Sequence, residues 1–176
     1  YIETRSSRFK NIINDVIIER ADVSNYSTMY KIIQRHKPSH IIHLAAIPLA
    51  RLENTNVDDA MSETLLSTSR ILEIIRDLNL AGQIPKVQKF VYASSSMVYG
   101  EFESDKVTEE SKTNPVNIYG SMKLAGEYLT RGLCNTFDIP FNIVRPSAVY
   151  GPSDINKRVS QIFVENAIKG KELIVM

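Results

Sequence analysis

Three residue types that move protons are spaced for joint use in the middle of the chain. An apolar, β-branched and aromatic run, Phe90-Val91-Tyr92-Ala93, ends in Ser94-Ser95-Ser96. Such a run reads as a buried strand carrying hydroxyls at its C-terminal end. Further on, Tyr119 stands four residues before Lys123. In a helix those positions share a face, so phenol and ammonium point the same way. A free phenol titrates near about 10, a neighbouring ammonium favours phenolate, and each pH unit of depression corresponds to about 1.4 kcal/mol. The pair can serve as acid or base, and a serine hydroxyl can hold the oxygen whose proton moves. Of the eight tyrosines, only Tyr119 has a lysine at this spacing.

The surrounding pattern supplies the elements that must position them. Periodic apolar residues predict a helix over 25–37, with Tyr26, Met29, Tyr30, Ile32 and Ile33 inward and Pro38 as its stop. Asp22 or Ser24 is placed to cap it. A short strand is expected at 16–18 and a buried one at 40–46, the latter ending in small residues. A loop over 47–56 leads to a long helix over 57–79, striped by Leu65, Leu66, Ile71, Leu72, Ile74, Ile75 and Leu78. After a turn at 81–86 comes the serine strand, at 87–93, and then a polar loop over 101–114. The Tyr119 helix runs from about Pro115 to Cys134 or Phe137, with Ala125 and Gly126 permitting close packing. A strand over 141–145 and a helix over 159–168 follow. This alternation predicts an α/β fold: a doubly wound parallel sheet with helices on both faces.

The 176 residues suffice for one domain with a sizeable core, and 43% apolar with 23% charged residues is an ordinary globular balance. A net charge of +1 gives no general attraction to nucleic acid or an anionic membrane, so neither is expected as a partner. No apolar run reaches the roughly 18 residues of a membrane span. The single cysteine, Cys134, excludes an internal disulfide and fits a reducing, cytoplasmic setting. No metal site is expected.

Two motifs narrow the class. The serine strand has the form SSxxVYG (Ser94 to Gly100), and a second strand ends in RPxxVYGP (Arg145 to Pro152). Together with Tyr119 and Lys123 they resemble the extended short-chain dehydrogenase/reductases, in particular the NAD-dependent nucleotide-sugar epimerase/dehydratase family. The resemblance implies a Rossmann-like fold, a bound NAD (NADP not excluded), a nucleotide-sugar substrate and a homodimer built on the Tyr119 helix. It implies Ser95, Tyr119 and Lys123 as catalytic residues. Asp22 and Val23 fall at the adenine edge; Leu44, Ala45 and Ala46, in the HLAA strand end, at the ribose and diphosphate. Ala93 and Ser94 fall beside the nicotinamide ribose, joined by Tyr119 and Lys123, and Pro146 and Val149 at the nicotinamide wall. Substrate contacts fall on Ser95, Ser96 and Ser147, with Arg158 at the nucleotide diphosphate. Glu109 and Glu110 either contact sugar hydroxyls or form a solvated loop, and Arg5 and Arg8 either bind phosphate or are solvated. His43 is read as structural.

Three departures qualify that picture. Family dehydratases carry an Asp-Glu pair where this chain has Ser96-Met97, so elimination is disfavoured and 4-epimerisation of a UDP-sugar through a transient keto sugar is favoured. Dehydration, keto-sugar reduction and a non-catalytic NAD(P)-binding regulator are the alternatives. An asparagine that supports the catalytic lysine in the family falls on Thr64. The seven glycines include no glycine-rich phosphate turn, so the chain is expected to lack its first βα unit and most of the substrate domain. Residues 1–176 then form a partial dinucleotide-binding domain, with a substrate-binding region beginning after about 150.

Overall fold

A computed structural model describes residues 13–46, 56–102, 106–151 and 159–173. The chain divides into two compact units, Glu19–Ser147 and the two chain ends, Tyr1–Ile18 with Ala148–Met176. In the larger unit the order is α1 (Tyr26–His36), β1 (His40–His43), α2 (Val57–Met61), a π-helical turn (Ser62–Leu66), α3 (Ser67–Leu80), β2 (Lys89–Ala93), a 3-10 turn (Ser96–Val98), α4 (Ile118–Phe137) and β3 (Phe141–Val144). In the unit of the ends, the described residues form a 3-10 turn at Ile13–Asp15 and helix α5 (Val159–Ile168), which buries no side chain.

The three strands are parallel and adjacent in the order β1-β2-β3. Register pairs Ile41 with Phe90 and His43 with Tyr92, then Phe90 with Phe141 and Tyr92 with Ile143. Because side chains alternate along a strand, these residues share one face. That face and the apolar stripes of α1, α3 and α4 form the core, including Ile33, Ile71, Leu72, Ile74, Ile75, Leu78 and Cys134. Leu72, Ile74 and Ile75 are fully buried, and each such burial contributes about 1.5–3 kcal/mol. The opposite face, with Ile42 at 67% and Val144 at 44% exposure, carries none of these helices.

The segment 16–18 is not a strand: Val16, Ile17 and Ile18 are exposed and no described neighbour takes their backbone groups into a ladder. Helix α1 is capped by Asn25, whose side chain accepts from the Thr28 N–H, and not by Asp22 or Ser24. Asp22 instead folds the preceding turn, accepting from the Ser24 N–H and hydroxyl. The helix expected over 57–79 is continuous but widens by a π turn at Ser62–Leu66. Hydroxyls satisfy the carbonyls that the wider turn frees: Ser67 donates to Glu63 O, and Thr68 to Thr64 O. All three strands are shorter than read from the sequence. The loop over 47–56 lies outside the described residues apart from Asn56, which caps α2.

Gly126 lets α4 lie against the sheet. A Cβ there would stand 2.0 Å from the Tyr92 hydroxyl, and Tyr92 is itself buried. Among the described residues no helix is long and apolar enough to cross a membrane, and no group of His, Cys, Asp and Glu is spaced to hold a metal ion.

Candidate active site

The carboxyl end of β2 is where the chemistry-bearing residues meet. Beyond the regular ladder, Ser94 N–H donates to Val144 O at 2.8 Å and Ser96 N–H to Pro146 O at 3.0 Å. The serine run is thereby fastened to the Arg145-Pro146-Ser147 strand end. Ser95 is buried and begins the 3-10 turn, its hydroxyl oxygen accepting from the Met97 N–H at 3.2 Å. That leaves its O–H free to donate. The loop returns to this turn where Asn114 N–H donates to Val98 O. Asn117 then caps α4 by accepting from the Gly120 N–H at 2.8 Å.

Tyr119 and Lys123 share the inward face of α4, the ammonium 5.8 Å from the Tyr119 ring centroid. Lys123 Nζ donates to Ala93 O at 2.7 Å, so the lysine is fixed to the strand end that carries Ser95. Tyr119 is half-buried and Lys123 buried. Burial pushes the Lys123 ammonium down from its ordinary 10.5 to about 8. An unfolded lysine is protonated in that interval while the folded one is not, so stability rises with pH between about 8 and 10.5 and the penalty is full below it. Relative to Lys123→Met, the cofactor-free protein is expected to gain about 3 kcal/mol across this window. Urea unfolding of both proteins at stepped pH measures it.

Gly120, which the sequence reading passed over, fixes the approach of the Tyr119 turn to the serine turn. A Cβ there would stand 2.5 Å from Met97 O, a backbone atom, and 2.9 Å from Pro115 Cβ. Gly120→Ala is expected to push the Tyr119 turn off the serine turn and lower turnover of the full-length protein by about 10²-fold, the scale of an ångström-sized misplacement. Steady-state kinetics with an unchanged circular dichroism spectrum is the check.

His43 is buried between the rings of Phe90 and Tyr92 and bonds Thr68 Oγ1 at 3.0 Å. Thr68 gives its own proton to Thr64 O, so the imidazole donates from Nε2. Burial, helped by the Lys123 charge, lowers His43 to about 4 and keeps it neutral. It anchors α3 through Thr68, the structural part expected of it. Thr64 is buried at the centre of the π turn, its carbonyl taken by Thr68 and Ser67.

A buried network that the sequence did not announce lies one turn below Lys123. Glu127 accepts from Ser94 Oγ at 2.6 Å, from Arg145 Nε at 2.8 Å and from Arg145 Nη2 at 2.7 Å. Arg145 also donates to Tyr99 Oη and Glu109 O. Burial alone would raise the Glu127 carboxyl, but the hydrogen bonds from Arg145 and Ser94 outweigh it and hold it low. The hydroxyl of Ser94, a residue expected beside the nicotinamide ribose, is thus committed to Glu127 inside the protein. An acid four residues after Lys123 on a stripe with Gly126 and Cys134 was the available signal.

The other sequence-derived positions are more open. Asp22 is exposed, with Oδ1 occupied by the Ser24 N–H and hydroxyl; Val23 packs on the core. Leu44, Ala45 and Ala46 follow β1, Leu44 being 70% exposed. Ser96, Pro146 and Ser147 line a cavity of about 610 Å3 with Tyr99, Phe102 and Arg131. Val149 is exposed in the unit of the chain ends. Arg5, Arg8 and Arg158 lie outside the described residues.

A parallel sheet with helices, whose β2 end carries Ser95 and is tied to Lys123, one turn after Tyr119 on α4, is a Rossmann-like arrangement. Residues 2–176 match the model of the NAD dependent epimerase/dehydratase family, and the chain belongs to that family. It is 37% identical over 113 residues to an uncharacterised UDP-glucose epimerase of Bacillus subtilis, covering 64% of this chain and 33% of that protein. It is 28% identical over 167 residues to a dTDP-glucose 4,6-dehydratase of Escherichia coli, covering 88% and 46%. Among solved structures, a Bacillus cereus UDP-glucuronic acid 4-epimerase in complex with UDP-glucuronic acid and NAD superposes with a TM-score of 0.74 at 26% identity, covering 98% of this chain and 52% of that one. The chain spans between a third and about half the length of these relatives.

Proposed function

We propose that the full-length protein is an NAD-dependent nucleotide-sugar 4-epimerase acting on UDP-sugars through a transient keto sugar. The observation that carries this reading is Lys123, held by Ala93 O and facing the Tyr119 ring at the strand end that bears Ser95. Tyr119 takes the proton of a sugar hydroxyl, and Ser95 donates to that oxygen. Bound at these strand ends, NAD would supply a reversible hydride acceptor for the same carbon. Tyr119 returns its proton after the keto sugar has presented its opposite face, and the configuration inverts. Ser96 and Met97 supply no strong acid or base, so water is not eliminated.

The residues fit such a cofactor. The buried Lys123 carries three donors, of which one is spent on Ala93 O, leaving two for ribose hydroxyls. Ala45, Ala46 and Ala93 allow close approach to the backbone, Asp22 Oδ2 can accept from an adenine amine with Val23 beside it, and Leu44, Ser94 and Pro146 complete the assignment in the larger unit. Ser96 and Ser147, which line the cavity at the β2 and β3 ends, are assigned to the substrate on the family resemblance. A homodimer in the cytoplasm completes the proposal. Met61, Leu65, Leu66 and Leu129, from α2, the π turn and α4, line an apolar hollow of about 430 Å3, which suits a helical interface, and the buried free thiol of Cys134 suits a reducing compartment.

The test incubates full-length protein, without added cofactor, with UDP-glucose and with UDP-glucuronate, and follows the sugars by NMR. Appearance of the C4 epimer is the expected result. Turnover only on addition of NADH, or a product that has lost water, would overturn it in favour of a reductase or a dehydratase.

A further inference from the structure

Helix α4 places Lys123 and Glu127 one turn apart, both buried. Opposite charges at this spacing attract along a helix, and more strongly away from water. They are not paired. Lys123 donates to Ala93 O at 2.7 Å. Both Glu127 oxygens are occupied elsewhere: Oε1 by Ser94 and Arg145 Nε, Oε2 by Arg145 Nη2, with Arg131 at 3.7 Å. We propose that Arg145 is a positioning residue whose two-pronged grip on Glu127 keeps that carboxylate off Lys123 and reserves the ammonium for Tyr119 and the cofactor. The proposal rests on the reading of Tyr119 and Lys123 as the proton-transfer pair.

The surroundings of the ammonium support a specific role for Arg145. Tyr119 faces it from α4, the Tyr92 ring on β2 lies 5.5 Å away, and His43 on β1 is a neutral ring that the Lys123 charge helps to keep unprotonated. Glu127 and Arg131 follow on α4, and Arg145 comes from the end of β3. Glu127 is the one acid in this set. A guanidinium matches both carboxylate oxygens at once, which a point charge cannot do. Tyr99 Oη and Glu109 O accept from Arg145 Nη1 at 3.0 and 3.1 Å, so the grip is itself braced. Without it, Glu127 keeps Ser94 on Oε1 and only the more distant Arg131, 3.7 Å from Oε2, and has the Lys123 ammonium one turn back.

The experiment compares full-length wild type with Arg145→Met, Arg145→Lys and the double variant E127Q/R145M. Lysine ε-13C labelling follows the Lys123 titration, its resonance identified by absence from Lys123→Met, and kcat is measured against pH in parallel. Arg145→Met is expected to move the Lys123 midpoint from near 8 to about 9 or above and to lower kcat at neutral pH by about tenfold, with KM little changed. Arg145→Lys gives an intermediate shift. The double variant, having no carboxylate to release, returns the midpoint to near 8 and recovers most of kcat. An unmoved midpoint in Arg145→Met, or a double variant as altered as the single, overturns the proposal. If Arg145→Met does not fold, Arg145→Lys and the double variant decide: a shift in the former alone supports the role, and equal behaviour refutes it. A wild type inactive on every nucleotide sugar refutes the functional reading, while the midpoints still decide the part of Arg145.

Discussion

Replacing Tyr119 by phenylalanine in the full-length protein is expected to lower kcat by about 10²–10⁴-fold while NAD binding and the fold persist. The substitution removes one oxygen from a half-buried ring at the first turn of α4. The ring remains, and so does its face toward the Lys123 ammonium at 5.8 Å. Lys123 keeps its bond to Ala93 O, because that bond does not pass through the phenol. What disappears is the group that exchanges a proton with the sugar oxygen. A loss seen in kcat and kcat/KM equally marks an interaction made in the transition state, and a rise in KM alone marks one made in binding. Full activity in Tyr119→Phe would leave Ser95 or a water as the acid–base group and remove the centre of the proposed mechanism. His43 cannot take its place, being neutral, buried and already donating to Thr68.

The parts of the site that are local in sequence were legible there. The four-residue spacing of Tyr119 and Lys123 implies a shared helix face, and α4 has that face turned to the sheet. The apolar run before the serines implies a buried strand, and β2 is one, with Phe90 and Tyr92 inward. What escaped depends on partners distant in the chain. The grip of Arg145 on Glu127 joins residues 18 apart on a helix and a strand end, and no period in either element encodes it. The strand expected at 16–18 failed for a related reason: apolar, β-branched residues favour a strand only where another strand accepts its hydrogen bonds. The π turn at Ser62–Leu66 was hidden because its stripe is indistinguishable from an α-helical one, although Ser67 and Thr68 supply the hydroxyls that such a turn needs.

Removing the Glu127 carboxylate alone, as Glu127→Ala, is expected to destabilise the protein by about 3–5 kcal/mol, measured by urea unfolding. Most of that loss comes from what stays behind. Arg145 has a side chain only 12% exposed and would keep its charge with no carboxylate to receive two of its donors. Ser94 would hold a buried hydroxyl without an acceptor, a further desolvation penalty. The complementary variant E127L/R145M removes both charges together. Buried ion pairs replaced by packed apolar groups are often neutral or better, so the double variant should be more stable than Glu127→Ala. The cycle is therefore strongly non-additive, as expected for residues in one network. The carboxyl is held low, so its stabilisation is present at neutral pH and is lost only as pH falls below the usual carboxylate range. An effect under about 1 kcal/mol for Glu127→Ala would mean that water reaches Arg145 and compensates it. Ser94 adjoins Ser95, and its backbone is tied to Val144. The network beneath the serine turn therefore helps to hold Ser95, the hydroxyl proposed to meet the sugar oxygen, so Glu127→Ala is expected to lower kcat as well as stability.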